Sequence, residues 1–159
     1  MKQIKAMTLG FIFDSSLREV LLIKKNRPEW QKGFHNGVGG HADTLEARLE
    51  KWEECFVREA KEETNLLLDA DRLVKIGRIR GENEKNPFIV VMFAYRLKST
   101  QERNVIDTIT DEELVWVPIE DIDMIPLIEN LRFIIPFARY KLSNSAVMPS
   151  SSIDLVYGE

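Results

Sequence analysis

Apolar and polar positions along the chain change rhythm several times, and each change marks an element. Residues 4–13 and 20–25 are dense in β-branched and aromatic residues and flank the turn-forming Asp14-Ser15-Ser16, which predicts the two strands of a hairpin. Residues 26–40 break the pattern, with Gly33, Gly37, Gly39 and Gly40 among turn-prone neighbours, and read as a long loop. From 45 to 64 the composition turns to strong helix formers without Gly or Pro. It ends at Asn65, a residue that tolerates the left-handed conformation closing a helix. Residues 73–79 and 88–97 read as strands joined by the polar turn 81–87, and 114–117 as a short strand stopped by Pro118. A helical turn and a last helix over 127–142, kinked at Pro136, follow. Phe133, Phe137 and Tyr140 recur at helical spacing and are expected on the core face of that helix. Strands, a helix, more strands and a final helix predict an α/β fold: a mixed sheet with helices packed on both faces.

With 159 residues, of which 44% are hydrophobic, the chain is long enough for one domain with a real core. No repeat or linker divides it, so residues 1–142 are expected to form a single domain. Residues 143–159 are expected to form a Ser-rich tail ending in a short strand over 153–157. The net charge of −4 gives no bulk attraction for a nucleic-acid polymer, so a phosphate-bearing ligand would need local lysines, arginines or a metal ion. The lone Cys55 excludes an internal disulfide, and no apolar run approaches the roughly 20 residues of a membrane helix, which points to a cytoplasmic protein without a membrane partner.

The stretch that carries chemistry is Arg58-Glu59-Ala60-Lys61-Glu62-Glu63-Thr64-Asn65. On a helix Glu59, Glu62 and Glu63 fall within one turn on one face, in line with Trp52, Cys55 and Phe56 rather than opposite them. Two carboxylates about 6 Å apart repel by roughly 3 kcal/mol at an effective dielectric of about 20, so a cluster set against the protein body calls for counter-charge. Arg58 supplies one. A hard divalent cation with oxygen ligands, magnesium in particular, is the natural complement for Glu59 and Glu63.

The order Gly40, Glu50, Arg58-Glu59-x-x-Glu62-Glu63 resembles the Nudix box, and the seven residues between Glu50 and Arg58 keep its interval. Nine residues instead of five separate Gly40 from Glu50, and Asn65 stands where the box ends in glycine. The longer interval leaves Glu46 as a rival to Glu50. The resemblance implies a Nudix-type α/β/α sandwich around a mixed β-sheet, and MutT-like hydrolysis of a nucleoside diphosphate linkage by water attack on phosphorus. It also implies Mg2+, or Mn2+ in its place, as the cofactor. By position it assigns Glu59, Glu62 and Glu63 as metal ligands, one of them also a base. Gly40 enters as a carbonyl ligand, Glu50 as a weaker one, and Arg58 as the group orienting the helix carboxylates. The leading substrate is a nucleoside triphosphate, with a modified purine in view because Asn36 falls where such relatives contact the base. Nucleotide sugars, dinucleotides and a non-catalytic nucleotide sensor are the alternatives. A homodimer is left open.

The loop before the glycines carries Lys25, Arg27 and Lys32, which could meet phosphates, and Trp30 and Phe34, which could stack on a base. His35 and His41 flank the same glycines. Asp111, Glu112 and Glu113 lie where relatives supply a further acid, and spacing does not choose among them.

Overall fold

The computed structural model describes residues 3–42, 51–83, 85–103, 110–144 and 151–158. Its strands are β1 (Lys5–Phe13), β2 (Glu19–Lys24), β3 (His35–Asn36), β4 (Val38–His41), β5 (Val74–Glu82), β6 (Pro87–Arg96), β7 (Glu113–Pro118) and β8 (Ile153–Tyr157). The helices are α1 (Trp52–Thr64), the single turn α2 (Thr100–Arg103) and α3 (Leu131–Asn144). Eight strands form one open mixed sheet in the order β3-β2-β1-β6-β5-β8, with β4 paired to β1 and β7 to β2. The long parallel pair β1/β6 is its centre, and β5/β6 and β1/β2 are antiparallel. The last strand joins the sheet as an edge, parallel to β5.

Both faces of the sheet are covered, which is why the strands read as nearly continuous apolar runs instead of alternating ones. Phe11, Phe13, Leu22 and Met92 pack on one side with Leu131, Ile134, Ile135 and Ala138 of α3. Ile12, Leu21, Phe93 and Tyr95 pack on the other with Phe56 and Ala60 of α1, where the Phe56 and Phe93 rings stack at 5.6 Å. Among the described residues no helix is long and apolar enough to cross a membrane.

Several sequence expectations change. Residues 26–40 are not an irregular loop throughout: β3 and β4 lie in them, and β4 pairs with β1 from Met7↔His41 to Gly10↔Val38. The last helix starts four residues later than expected, because the segment before it bridges to β3. His35 N–H donates to Pro126 O at 2.8 Å, and Ile128 N–H donates to His35 O at 3.1 Å. Its buried stripe is Leu131, Ile134, Ile135, Ala138 and Lys141; of the three aromatics expected on the core face, Phe137 packs partly buried against that core, whereas Phe133 and Tyr140 are turned outward, 52% and 48% exposed. The Lys141 ammonium donates to the Ser151 carbonyl, which ties the helix to the chain entering β8.

Candidate active site

The site lies in the seam between α1 and β4. α1 begins at Trp52, after an extended Lys51 whose N–H donates to Glu54 Oε2 at 3.3 Å, so residue 51 is not part of the helix expected over 45–64. Residues 43–50, and with them the choice between Glu46 and Glu50, lie outside the described residues. At the other end Asn65 takes the left-handed conformation, φ 61°, and its N–H closes the helix on Lys61 O at 2.9 Å. Cys55, Phe56, Ala60 and Thr64 are buried against the sheet, which fixes the rotation of the helix and lays the residues beside that stripe along β4.

The three carboxylates of the turn are then sorted by depth. Glu63 is half-buried and its Oε2 accepts the Gly39 N–H at 3.0 Å. Glu59 lies over Gly40 so closely that a Cβ there would sit 2.1 Å from its Oε2; only glycine leaves room for the carboxylate. Gly39 is equally constrained, since its Cβ would fall 2.0 Å from Thr8 O across the β1/β4 pair. Glu62 turns outward, its side chain 59% exposed against 14% for Glu59. Arg58 stands between them, donating to Glu59 Oε1 at 2.9 Å and to Glu62 Oε1 at 3.3 Å, so Glu59 has the local partner that spacing alone did not give it.

A fourth carboxylate enters from across the sheet. The β2/β7 register places Lys24 opposite Glu113, which sets Lys25 beside Glu112. Lys25 Nζ bonds Glu112 Oε1 at 3.1 Å in a largely buried pair, while Glu112 Oε2 is buried without a hydrogen-bond partner. Asp111 and Glu113 are exposed, and Asp111 is engaged by Arg27 at 2.9 Å and by the Asn26 side chain on its carbonyl.

Electrostatics follow from this packing. Burial pushes the Glu63 carboxyl up to about 7; the negative charges of Glu59 and Glu112 add to the rise, and the Gly39 N–H and the Lys25 charge oppose it. Burial also raises Glu59 above the ordinary carboxylate range despite the hydrogen bond and charge of Arg58. Among the described residues no group of three or more His, Cys, Asp or Glu side chains is preassembled as a metal cage. The donor chemistry nevertheless fits a hard cation: oxygen ligands only, one buried carboxylate oxygen with no partner, and acids that repel one another.

The remaining expected ligand contacts fare differently. Lys25 and Arg27 are committed to Glu112 and Asp111. Asn36 serves its own turn, Oδ1 accepting from Gly37 N–H at 2.8 Å and Nδ2 donating to Gln31 Oε1 at 3.3 Å. Phe34 and Trp30 are exposed on the loop between β2 and β3, available for stacking. His35 is buried, its Nδ1–H donating to Pro126 O at 2.7 Å, so it is a structural tie.

The NUDIX domain model matches residues 5–136. No curated protein sequence matches the chain. Its fold is similar to the NUDIX domain of Shewanella oneidensis NrtR complexed with ADP ribose, at 18% identity and a TM-score of 0.71, covering 89% of this chain and 90% of that one. NrtR complexed with a 27mer DNA is similar at 20% identity and a TM-score of 0.68, over 89% of this chain and 63% of that one. The MutT NUDIX hydrolase from Burkholderia pseudomallei shares 20% identity and a TM-score of 0.66 over 85% of this chain and 98% of that one. A bifunctional NMN adenylyltransferase/ADP ribose pyrophosphatase from Francisella tularensis, complexed with AMP and a Mn ion, matches at 16% identity and a TM-score of 0.64, over 89% of this chain and 43% of that one. These likenesses establish the fold; the domain model, matched over most of the chain, shows that the protein belongs to the Nudix family.

Proposed function

We propose that this Nudix pyrophosphohydrolase cleaves a nucleoside diphosphate linkage by water attack on phosphorus, with Mg2+ or Mn2+ bound at the seam between α1 and β4. The observation that carries the reading is the approach of two sequence-distant carboxylates. Glu63 is held against the Gly39 N–H and pushed to about 7, and Glu112 is buried with one oxygen unpartnered. Such an arrangement destabilises the ion-free protein and suits a site that takes up positive charge.

Glu59, Glu63 and Glu112 would hold the cation, with Glu62 at the outer rim and the Gly40 carbonyl as a neutral ligand. The bound cation would neutralise charge developing on the phosphate oxygens. Arg58, bonded to both Glu59 and Glu62, fixes the helix side of the site. Glu63 has acceptor capacity left beyond its bond to Gly39 and takes the proton of the attacking water. Glu50 would be a weaker ligand, the role the resemblance assigns to it. Phe34 and Trp30 would stack on the base, and Arg27 would meet phosphate only by leaving Asp111.

A nucleoside triphosphate cleaved to monophosphate and pyrophosphate is the leading substrate. Asn36 holds Gln31 and Gly37 and keeps one N–H and one lone pair free, so a modified purine, which its amide would read, stays within this class. The ADP ribose bound by NrtR supports nucleotide diphosphate conjugates as the second class. The partner is read as a small nucleotide, not a nucleic-acid polymer, because the chain carries a net charge of −4. Release of phosphate or pyrophosphate across triphosphates, ADP-ribose, nucleotide sugars and dinucleotides, with and without Mg2+, tests the reading. Turnover of one class is expected, and binding without turnover of any would replace the enzyme by a sensor.

A further inference from the structure

We propose that Lys25 is an internal counter-cation of this site: in the ion-free protein its ammonium holds Glu112 beside Glu63, and an entering divalent ion displaces it from that position. This rests on the reading that the site takes up a divalent ion.

The placement of Lys25 is built by the sheet. It is the residue directly after β2, and the pairing of Lys24 with Glu113 brings it against the residue directly before β7. The two loops are clasped again just beyond, where the Asn26 amide donates to Asp111 O at 3.0 Å and Arg27 pairs with Asp111 at 2.9 Å. The side chains of Lys25 and Glu112 are only 19% and 11% exposed, so the pair is shielded from solvent. Lys25 satisfies one oxygen of Glu112 and leaves the other buried without a partner. Its charge also reaches Glu63 on the opposite element.

A cation meant for substrate phosphate would stand exposed, as Lys32 does by comparison. Lys25 is instead spent on one acid and faces a second. An ammonium is a compact point charge on a flexible four-carbon stem, able to withdraw without disturbing the backbone, whereas a guanidinium would lock the carboxylate bidentately. A divalent ion reaching Glu63 and Glu112 brings twice the charge to the same oxygens and meets repulsion from Lys25 until the lysine moves.

The test is Mn2+ binding in the absence of nucleotide, followed by the electron paramagnetic resonance signal of free Mn2+, for the wild type, Lys25→Gln and Lys25→Arg. Glutamine can still donate to Glu112 but carries no charge. Lys25→Gln is expected to bind Mn2+ about tenfold or more tightly than the wild type, while Lys25→Arg stays at or above the wild-type Kd. In chelator Lys25→Gln is expected to melt below the wild type, with the gap closing at saturating Mn2+. Lys25→Met, which removes the hydrogen bond as well as the charge, must show the same tightening. Equal or weaker Mn2+ binding by Lys25→Gln, or a rise in nucleotide KM as its sole effect, overturns the proposal while leaving the metal reading intact. A wild type that binds no Mn2+ overturns both.

Discussion

Replacing Glu63 by glutamine preserves the shape of the side chain and an acceptor for the Gly39 N–H, and removes only the ability to ionise. In the folded protein the carboxyl titrates near 7 instead of the ordinary 4.5, chiefly because of burial. A folded value raised above the unfolded one means that the native state binds the proton more tightly. The stability this confers is complete below about pH 4.5 and is lost as pH rises through about 7. The separation of roughly 2.5 units corresponds to about 3 kcal/mol, which in a chain of this length moves the melting temperature by about 6–12 °C. In chelator, therefore, Glu63→Gln is expected to melt progressively higher relative to the wild type between pH 4.5 and pH 8. Thermal unfolding followed by circular dichroism at four or five pH values reads this directly, and the difference between the two proteins cancels the titrating groups that do not interact with Glu63. Saturating Mg2+ at pH 8 is expected to narrow the gap, since the ion binds only a folded wild-type site. A difference in melting temperature that does not change with pH would refute the assignment of an elevated Glu63 and the electrostatic argument for the ion built on it.

Gly40→Ala places a methyl group 2.1 Å from Glu59 Oε2, and because the obstacle is the end of a flexible side chain, the carboxylate should move away. Turnover is expected to fall about tenfold or more with a melting temperature close to that of the wild type, measured on the same preparation. Asn65→Gly should be near neutral in urea unfolding while Asn65→Val costs about 1–2 kcal/mol, because a branched residue is disfavoured at a φ of 61°. Asp14 organises the β1/β2 turn, its Oδ1 accepting from the N–H groups of Arg18 and Glu19 at 2.8 and 2.9 Å. Burial raises the Asp14 carboxyl, but the Ser16 hydroxyl and the backbone N–H groups outweigh it and hold it below 3.8. Asp14→Ala is therefore expected to cost about 1–2 kcal/mol at pH 7, a loss that shrinks only as pH falls below 3.8, by urea denaturation at pH 7 and pH 2.5.

The sequence made α1 legible where local chemistry decides it: helix formers without a breaker, an apolar stripe, and an asparagine at the left-handed cap. β4 was not legible because Gly39 and Gly40 have no side chains to carry a period of two. They are glycines because Thr8 O and the Glu59 carboxylate occupy the space a Cβ would need, contacts with no local signature. The outward turn of Phe133 and Tyr140 escaped notice because their size suggested a core face, whereas the i, i+3, i+4, i+7 set Leu131, Ile134, Ile135 and Ala138 packs on the sheet. The carboxylates of the box could be read from their spacing, but their sorting by depth could not. Glu112 was indistinguishable from Asp111 and Glu113 until the β2/β7 register set it against Lys25. A strand-pairing argument between residues 19–24 and 113–118 would have been the signal to use.

The central claim is that carboxylates gathered around Glu63 use a divalent ion to hydrolyse a nucleotide. It is tested most directly by measuring pyrophosphate or phosphate release from the best substrate of the nucleotide panel against Mg2+ concentration, for the wild type and Glu63→Gln side by side. Hydrolysis that needs the ion and falls about a hundredfold or more in Glu63→Gln, with folding retained, is the expected result. Turnover that persists in chelator, or that is the same in both proteins at saturating Mg2+, would contradict it.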